Sequence, residues 1–345
     1  MSIPILLITG ATSGLGLNTI KQLVKTSNFS FIVGVRNRDK AIALKSVVPA
    51  KRLTILPLDL ASMTSVRHFA SAAIEYLGDR RTLTAVALNA GIQITTGLKK
   101  SVDGYEYTFA SNYLGHFLLT QLLLPVLAED AIVVSTTSGT HDLQDRISGL
   151  FGFRGGLFPS AESVAKGILD TSVDRQQQCL DRYATSKLCN LLFTYYMANH
   201  RSPKNIRCLV ERSLAPIVFD DSPAKLSANS SSRDAGSRRF LAFDPGLMPG
   251  TDLARDRSAV EQFAWKYLLP PLGLFVPGIS SPERSSRSLS RLLTSDAIAP
   301  IGGQHFDYRL KLTPTSADSY REDWQSQLYD MSVELCGIAS SQHQC

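Results

Sequence analysis

The stretch Thr9-Gly10-Ala11-Thr12-Ser13-Gly14-Leu15-Gly16 constrains this chain more than any other. It follows a short apolar run, Ile3 to Ile8, that reads as a buried parallel strand. It opens a helical pattern that runs from Leu15 to Val24. The glycines therefore fall at a strand-to-helix turn, where the missing Cβ lets backbone approach a ligand and take a positive φ without strain. The helix N-terminus adds unpaired N–H groups and the positive end of a dipole, which suit a phosphate. The spacing is G-x-x-x-G-x-G rather than the common G-x-G-x-x-G, so the turn alone does not decide for a nucleotide.

Beyond this turn, strands and helices alternate. Phe31 to Val35, Leu53 to Leu58, Leu83 to Leu88, Ile132 to Ser135, Phe240 to Phe243 and Gly303 to Tyr308 read as strands. Helical patterns cover Ser62 to Leu77, with Ser62 as N-cap, and Tyr105 to Leu127, which Pro125 ends or kinks. Others cover Arg182 to Asn199, a segment opened by Ser281-Pro282-Glu283, and Ala317 to Leu335. Repeated β-α units predict an α/β fold: a single Rossmann-like domain over 1–345, a doubly wound parallel sheet with helices on both faces. Such sheets bind ligands beyond the carboxyl ends of their strands, where the strand order reverses. Two stretches break the rhythm and read as insertions, 143–181 and 210–238; the second has the polar composition of a mobile surface loop.

With 44% hydrophobic residues the chain can fill a core of this size, and its formal charge of +6 is modest. Lys99-Lys100 and Arg238-Arg239 are isolated basic pairs that read as solvated surface, so nucleic acid is not an expected partner. The five cysteines lack C-x-x-C spacing and the six histidines form no ligand cluster, which argues against a metal or a disulfide framework and for a reducing compartment, the cytoplasm. No apolar segment is long enough to span a bilayer, and Ile3 to Ile8 lacks the basic region of a signal peptide.

The chemistry centres on Tyr183-Ala184-Thr185-Ser186-Lys187. Tyr183 and Lys187, at i and i+4, share a helix face. An ammonium beside a phenol favours phenolate, so the pair predicts a tyrosine with a lowered pKa that serves as acid or base. Asn89-Ala90-Gly91 closes the fourth strand and a hydroxyl run, Ser135-Thr136-Thr137-Ser138, closes the fifth.

In this order the motifs resemble the short-chain dehydrogenase/reductase family over most of the chain, and its retinol-dehydrogenase-like and protochlorophyllide-reductase-like members in particular. The resemblance implies that Gly10, Thr12, Ser13, Gly14, Leu15 and Gly16 form the cofactor turn, that Asp59-Leu60 meets the adenine, and that Asn89-Ala90-Gly91 lies along the cofactor. Leu88 stands where another asparagine is usual. The run Tyr105 to Thr120, which contains Ser111-Asn112-Tyr113-Leu114-Gly115-His116, is similar to the segment that supplies the catalytic asparagine, here Asn112, which would hold a water in a proton relay. Ser138 aligns with the catalytic serine, although its three hydroxyl neighbours leave that alignment open, and Tyr183 and Lys187 align with the catalytic tyrosine and lysine. Pro245-Gly246 matches the pair before the nicotinamide contact, which is Gly250 or Thr251 because the spacing is one residue longer than usual. Ser138 and Tyr183 are 45 positions apart, far more than in most relatives.

Arg36 stands 20 positions after Gly16, right after the second strand. An acid there would bond a ribose 2′-OH, whereas arginine suits a 2′-phosphate, so NADP is the expected cofactor, with Arg38 as a second basic group. The implied activity is hydride transfer between nicotinamide and a carbonyl or alcohol on a small apolar molecule, under an apolar lid at 252–280 containing Trp265 and Phe275. Light-driven reduction of a protochlorophyllide-type ring, suggested by Cys189 and by the late-chain resemblance, and a regulator that binds NADP without turnover are the alternatives. Physiological direction and oligomeric state, homo-oligomer included, stay open, as does a peripheral contact with a membrane.

Overall fold

The computed structural model describes residues 3–200, 238–248, 278–294 and 301–338. The segment 205–208, nearly all of the 210–238 insertion, the 252–277 part of the lid with Trp265 and Phe275, and both Gly250 and Thr251 lie outside the described residues.

Seven strands form one sheet: β1 (Ile5–Thr9), β2 (Ser30–Val35), β3 (Leu53–Pro57), β4 (Leu83–Leu88), β5 (Leu127–Thr136), β6 (Arg239–Asp244) and β7 (Gln304–Asp307). Their order is β3-β2-β1-β4-β5-β6-β7, and every pairing is parallel. The order reverses between β1 and β4, so the ends of those two strands and their loops frame a crevice. This is the expected doubly wound, Rossmann-like sheet.

All five residues of β1 are buried, because helices cover both faces. Alternate side chains go to opposite sides. Ile5 and Leu7 enter a core shared with α3 (Met63–Leu77), α5 (Gly115–Leu123), α8 (Arg175–His200) and α10 (Glu322–Leu335). Leu6 and Ile8 enter a second core with α1 (Gly14–Thr26) and α9 (Pro282–Thr294). Ser62 caps α3, its Oγ accepting from Ser65 N at 3.3 Å. The expected helix over Tyr105 to Leu127 is divided into α4 (Tyr107–Phe109), a π turn at Ala110–Leu114, α5, and a 3-10 turn at Leu124–Val126 that holds Pro125. Gly115 is required where this helix meets β3's loop, since a Cβ there would collide with the Leu60 carbonyl.

Three departures have physical causes. Strand β5 begins five residues before Ile132, and its register against β4 shifts between Leu83↔Leu127 and Ala85↔Ile132, so exposed Glu129 and Asp130 interrupt the apolar pattern. Arg238 and Arg239 are not solvated surface. Arg238 donates to the Leu127 and Ala128 carbonyls at 3.1 and 3.3 Å, and buried Arg239 donates to the Asp130 carbonyl at 3.0 Å, satisfying backbone that the irregularity leaves unpaired. Helix α8 starts seven residues before Arg182, where Asp174 Oδ1 accepts from Gln177 N at 2.8 Å; its polar first turns carry no apolar period.

The 143–181 insertion carries two short helices, α6 (Arg146–Leu150) and α7 (Ala161–Lys166), and supplies the start of α8. It is clamped to α8 by Arg154, whose Nε and Nη2 donate to the two oxygens of buried Asp181 at 3.0 and 2.7 Å, while Nη2 also meets Asp170 at 2.8 Å. A bidentate, charge-assisted pair of this kind is strong and geometrically specific. Arg154→Met removes the ionic partner of the buried Asp181 carboxylate, which keeps only the Gln177 Nε2 donor at 2.9 Å, and is expected to cost about 2 kcal/mol in chemical denaturation. Arg154→Met combined with Asp181→Leu should recover part of that loss.

Candidate active site

The glycine turn sits beyond the carboxyl end of β1, with Gly10 at φ +65°. A Cβ on Gly10 would lie 2.7 Å from Ala90 Cα, so the turn and the loop after β4 pack backbone to backbone. Asn89 Nδ2 donates to the Thr9 and Gly10 carbonyls at 3.0 and 3.1 Å. Thr9 Oγ1 accepts from both Asn89 N and Ala90 N at 3.0 Å, which uses its acceptor positions. Its proton therefore goes to His116 Nε2, 2.9 Å away, and His116 Nδ1–H donates to the Asn112 carbonyl at 3.0 Å. His116 is buried and neutral, and burial pushes its pKa down to about 4. The N-cap Ser13 makes no side-chain bond, so the first N–H groups of α1 stay available to a ligand.

A cleft of about 570 Å³ opens on this turn. Gly10, Thr12, Ser13, Gly14 and Leu15 line its floor, and Asp59, Leu60 and Arg36 line one end with Asn37 and Lys40. Asn89, Ala90 and Gly91 line its middle, and Ser138, Tyr183, Lys187, Pro245 and Gly246 its other end. Two expected residues do not face it. Gly16 is packed behind the turn, where a Cβ would meet the Gly10 carbonyl and the Asn89 carboxamide. Asn112 is fully buried behind the wall. Its Oδ1 accepts from Ile92 N at 2.8 Å, and its Nδ2 donates to the Ile92 carbonyl at 2.9 Å and to Ser186 Oγ at 3.0 Å. These bonds join the β4 loop to α8.

On α8, Lys187 Nζ donates to the Thr136 carbonyl at 3.1 Å, beside Asn190 Nδ2 at the same distance, and keeps two N–H groups for a ligand. Burial pushes Lys187 down to about 8. The expected lowering of Tyr183 is not observed. Burial raises the phenol above its ordinary value, the Asp244 carboxylate adds to that, and the Ser138 hydroxyl, within hydrogen-bonding reach, pulls it back. The Lys187 ammonium stands 5.7 Å from the ring centroid, too remote to overcome desolvation. Ser138 is positioned from behind, since His141 Nδ1 donates to its carbonyl at 2.6 Å and His141 Nε2 accepts from Ser316 N at 3.2 Å.

Residues 4–145 match the family model for short chain dehydrogenase. The chain is 33% identical over 359 residues to the chloroplastic protochlorophyllide reductase of Daucus carota, covering 96% of this chain and 78% of that protein. The chain belongs to the short-chain dehydrogenase/reductase family. It is also 27% identical over 345 residues to the polyprenol dehydrogenase of Homo sapiens, covering 96% and 84%. Among solved structures it resembles an NADPH-bound carbonyl reductase from chicken fatty liver, with TM-score 0.55 and 17% identity over 91% of this chain and 99% of that one, a likeness of fold. The chain is thus an oxidoreductase of a family that binds a nicotinamide cofactor. The glycine cradle, the uncapped α1 N-terminus and the free Lys187 N–H groups fit such a group.

The cleft also holds residues that the motifs do not indicate: Gln93, Phe151, Phe153 and Lys40. Phe151 and Phe153 come from the insertion, and Phe153 packs on Tyr183 with ring centroids 5.9 Å apart. Only the concentration of phenylalanine after the fifth strand hinted at such a wall. His116 was legible merely as part of a motif. Its folded pKa of about 4 lies below the unfolded value of about 6.5, so its contribution to stability is full above pH 6.5 and declines as pH falls towards 4. Over that window His116→Gln is expected to flatten the stability–pH slope by about 1.4 kcal/mol per pH unit, read from urea midpoints.

Proposed function

We propose that the enzyme is an NADP-dependent oxidoreductase that reduces a carbonyl, or oxidises the alcohol, on an apolar small molecule. The supporting observation is that one cleft runs from the basic Arg36–Lys40 end, past the glycine turn, to Ser138, Tyr183 and Lys187. A bound nicotinamide supplies or accepts the hydride. In reduction, the carbonyl carbon takes the hydride and its oxygen takes the Tyr183 proton; oxidation is the reverse. A phenol held protonated by burial suits the donor role. Ser138 donates a hydrogen bond to the same oxygen as charge develops. Lys187, with N–H groups left over from its bond to the Thr136 carbonyl, would hold the nicotinamide ribose and would offer positive charge beside the phenol. Asn112 acts as a positioning residue between the β4 loop and α8.

At the other end, exposed Arg36 accounts for the choice of NADP, with Nη1 steadied by the Tyr107 hydroxyl at 3.2 Å. Lys40 lines the same end. Wild type should favour NADPH over NADH, and Arg36→Asp should lower kcat/KM for NADPH by about tenfold to several-hundredfold while shifting the ratio towards NADH. A ratio that does not move removes Arg36 from the phosphate site.

The test of the whole reading is turnover of aldehydes and ketones by purified protein with NADPH, read as loss of cofactor absorbance and by product analysis. Tyr183→Phe should reduce turnover at least about 100-fold and keep cofactor binding, whereas Lys187→Ala should harm both. Absence of turnover with cofactor bound would favour the regulator. The light-driven reading rests on the likeness to protochlorophyllide reductases rather than on Cys189, which lies in the apolar core away from the cleft lining with its thiol pKa raised by burial. Light-dependent turnover and pigment binding would separate it from carbonyl reduction. We place the enzyme in the cytoplasm as one domain; the free thiols of Cys179, Cys189 and Cys336 are consistent with a reducing compartment. No described helix is long and apolar enough to cross a membrane.

A further inference from the structure

We propose that Gln93 recognises a second oxygen on the substrate, so that the preferred substrates are apolar carbonyl compounds bearing a neighbouring carbonyl or hydroxyl. The inference rests on the oxidoreductase reading above and deepens it.

Gln93 stands two residues beyond Gly91, in the loop that leaves β4. It lines the same cleft as Tyr183 and Ser138, yet it is only 3% exposed. Its Nε2 is buried with no hydrogen-bond partner. Buried polar groups in folded proteins are nearly always paired, and leaving one unpaired costs free energy. Ile92, Phe151 and Phe153 on this cleft have no acceptor side chain, and Thr136 Oγ1 and Thr140 Oγ1, on the same cleft, are likewise buried and unpaired rather than bonded to Gln93.

The loop is also prevented from relaxing. Asn112 holds both the N–H and the carbonyl of Ile92, at 2.8 and 2.9 Å, so the backbone is fixed immediately before Gln93. Such a side chain is presented by a rigid platform to a cleft where Ile92, Phe151, Phe153 and Met248 stand beside the polar groups of Ser138, Tyr183 and Lys187. This is the composition of a specificity site, with apolar walls for most of the ligand and a few polar groups for its orientation. A carboxamide offers an N–H₂ donor on one side and an acceptor oxygen on the other, and can turn over about its last bond. A carbonyl pairs with the first and a hydroxyl with either, so both oxygen functions fit. A site built to bond an oxygen discriminates against the analogue that lacks it, because its own group is then left unpaired.

The experiment compares acetophenone, 1-phenyl-1,2-propanedione and 2-hydroxyacetophenone as substrates with NADPH, in wild type, Gln93→Met and Gln93→Glu. The dione is intrinsically more reactive, so the quantity to read is the change in the kcat/KM ratio of dione to acetophenone. That ratio should fall at least tenfold in Gln93→Met, mainly through KM of the dione. Gln93→Glu, which when ionised can only accept, should retain hydroxyacetophenone and lose the dione. Gln93→Met should also raise the Tm of the protein measured without added ligand, because it removes an unpaired buried donor; a glutamine serving structure would lower Tm on replacement. Ratios that are unchanged in both variants overturn the inference and leave the oxidoreductase reading standing on acetophenone turnover. Failure of wild type to turn over any of the three compounds while other aldehydes or ketones are reduced with NADPH overturns the inference alone; failure across that whole carbonyl panel defeats the carbonyl-reduction reading with it.

Discussion

The hydroxyl of Thr9 carries more of this structure than its size suggests. It accepts from the two backbone N–H groups that follow β4 and donates to His116, so one oxygen joins the ends of β1 and β4 to the helix that follows them. His116 passes the connection to the Asn112 carbonyl, and the Asn112 side chain passes it to Ile92 and Ser186. Ser186 in turn bonds the Tyr183 carbonyl at 2.7 Å. The glycine turn and the tyrosine thus share one continuous hydrogen-bonded frame, although 174 positions separate Thr9 from Tyr183. In a low-dielectric interior such a network is rigid when every member is satisfied.

Charge in the cleft follows from the same burial. Desolvation sets the direction of shift for Tyr183 and Lys187, upward for the acid and downward for the base, and Asp244 pushes both upward. Burial therefore favours the protonated phenol, and it lowers the lysine only to about 8, so that the ammonium form is still favoured at neutral pH. Arg36, exposed at the far end, keeps its charge in water and can only act on what is brought to it.

Much of this was legible in the sequence, and the parts that were not have common causes. The strands showed because burial on both faces makes them near-continuous apolar runs. The order of glycine turn, Asn-Ala-Gly, Ser138 and Tyr183–Lys187 showed because each motif is local. What did not show depended on partners remote in sequence. Polar 175–181 is helical with Asp174 accepting from Gln177 N at its start and Asp181 held by Arg154, and β5 extends across Glu129 and Asp130 where Arg238 and Arg239, more than 100 positions later, donate to its carbonyls. A motif gives Asn112 its place in the chain, but not the bonds its amide makes to Ile92 and Ser186. Gln93 has no local signature at all. It becomes visible only when the cleft around it is found to lack a partner for it.

The clamp between Arg154 and Asp181 has a bearing on how such a protein could diversify. The strand ends and the glycine turn hold the half of the cleft assigned to the cofactor, and those contacts run through the sheet. The aromatic half arrives on a segment that leaves the fold after Ser138 and returns before Tyr183, fastened to α8 by an ion pair at its base. A piece attached in this manner can be lengthened, shortened or exchanged with little disturbance to the sheet, provided the fastening is kept. New ligands would then be met by altering one peripheral loop, while the machinery for hydride transfer is inherited unchanged.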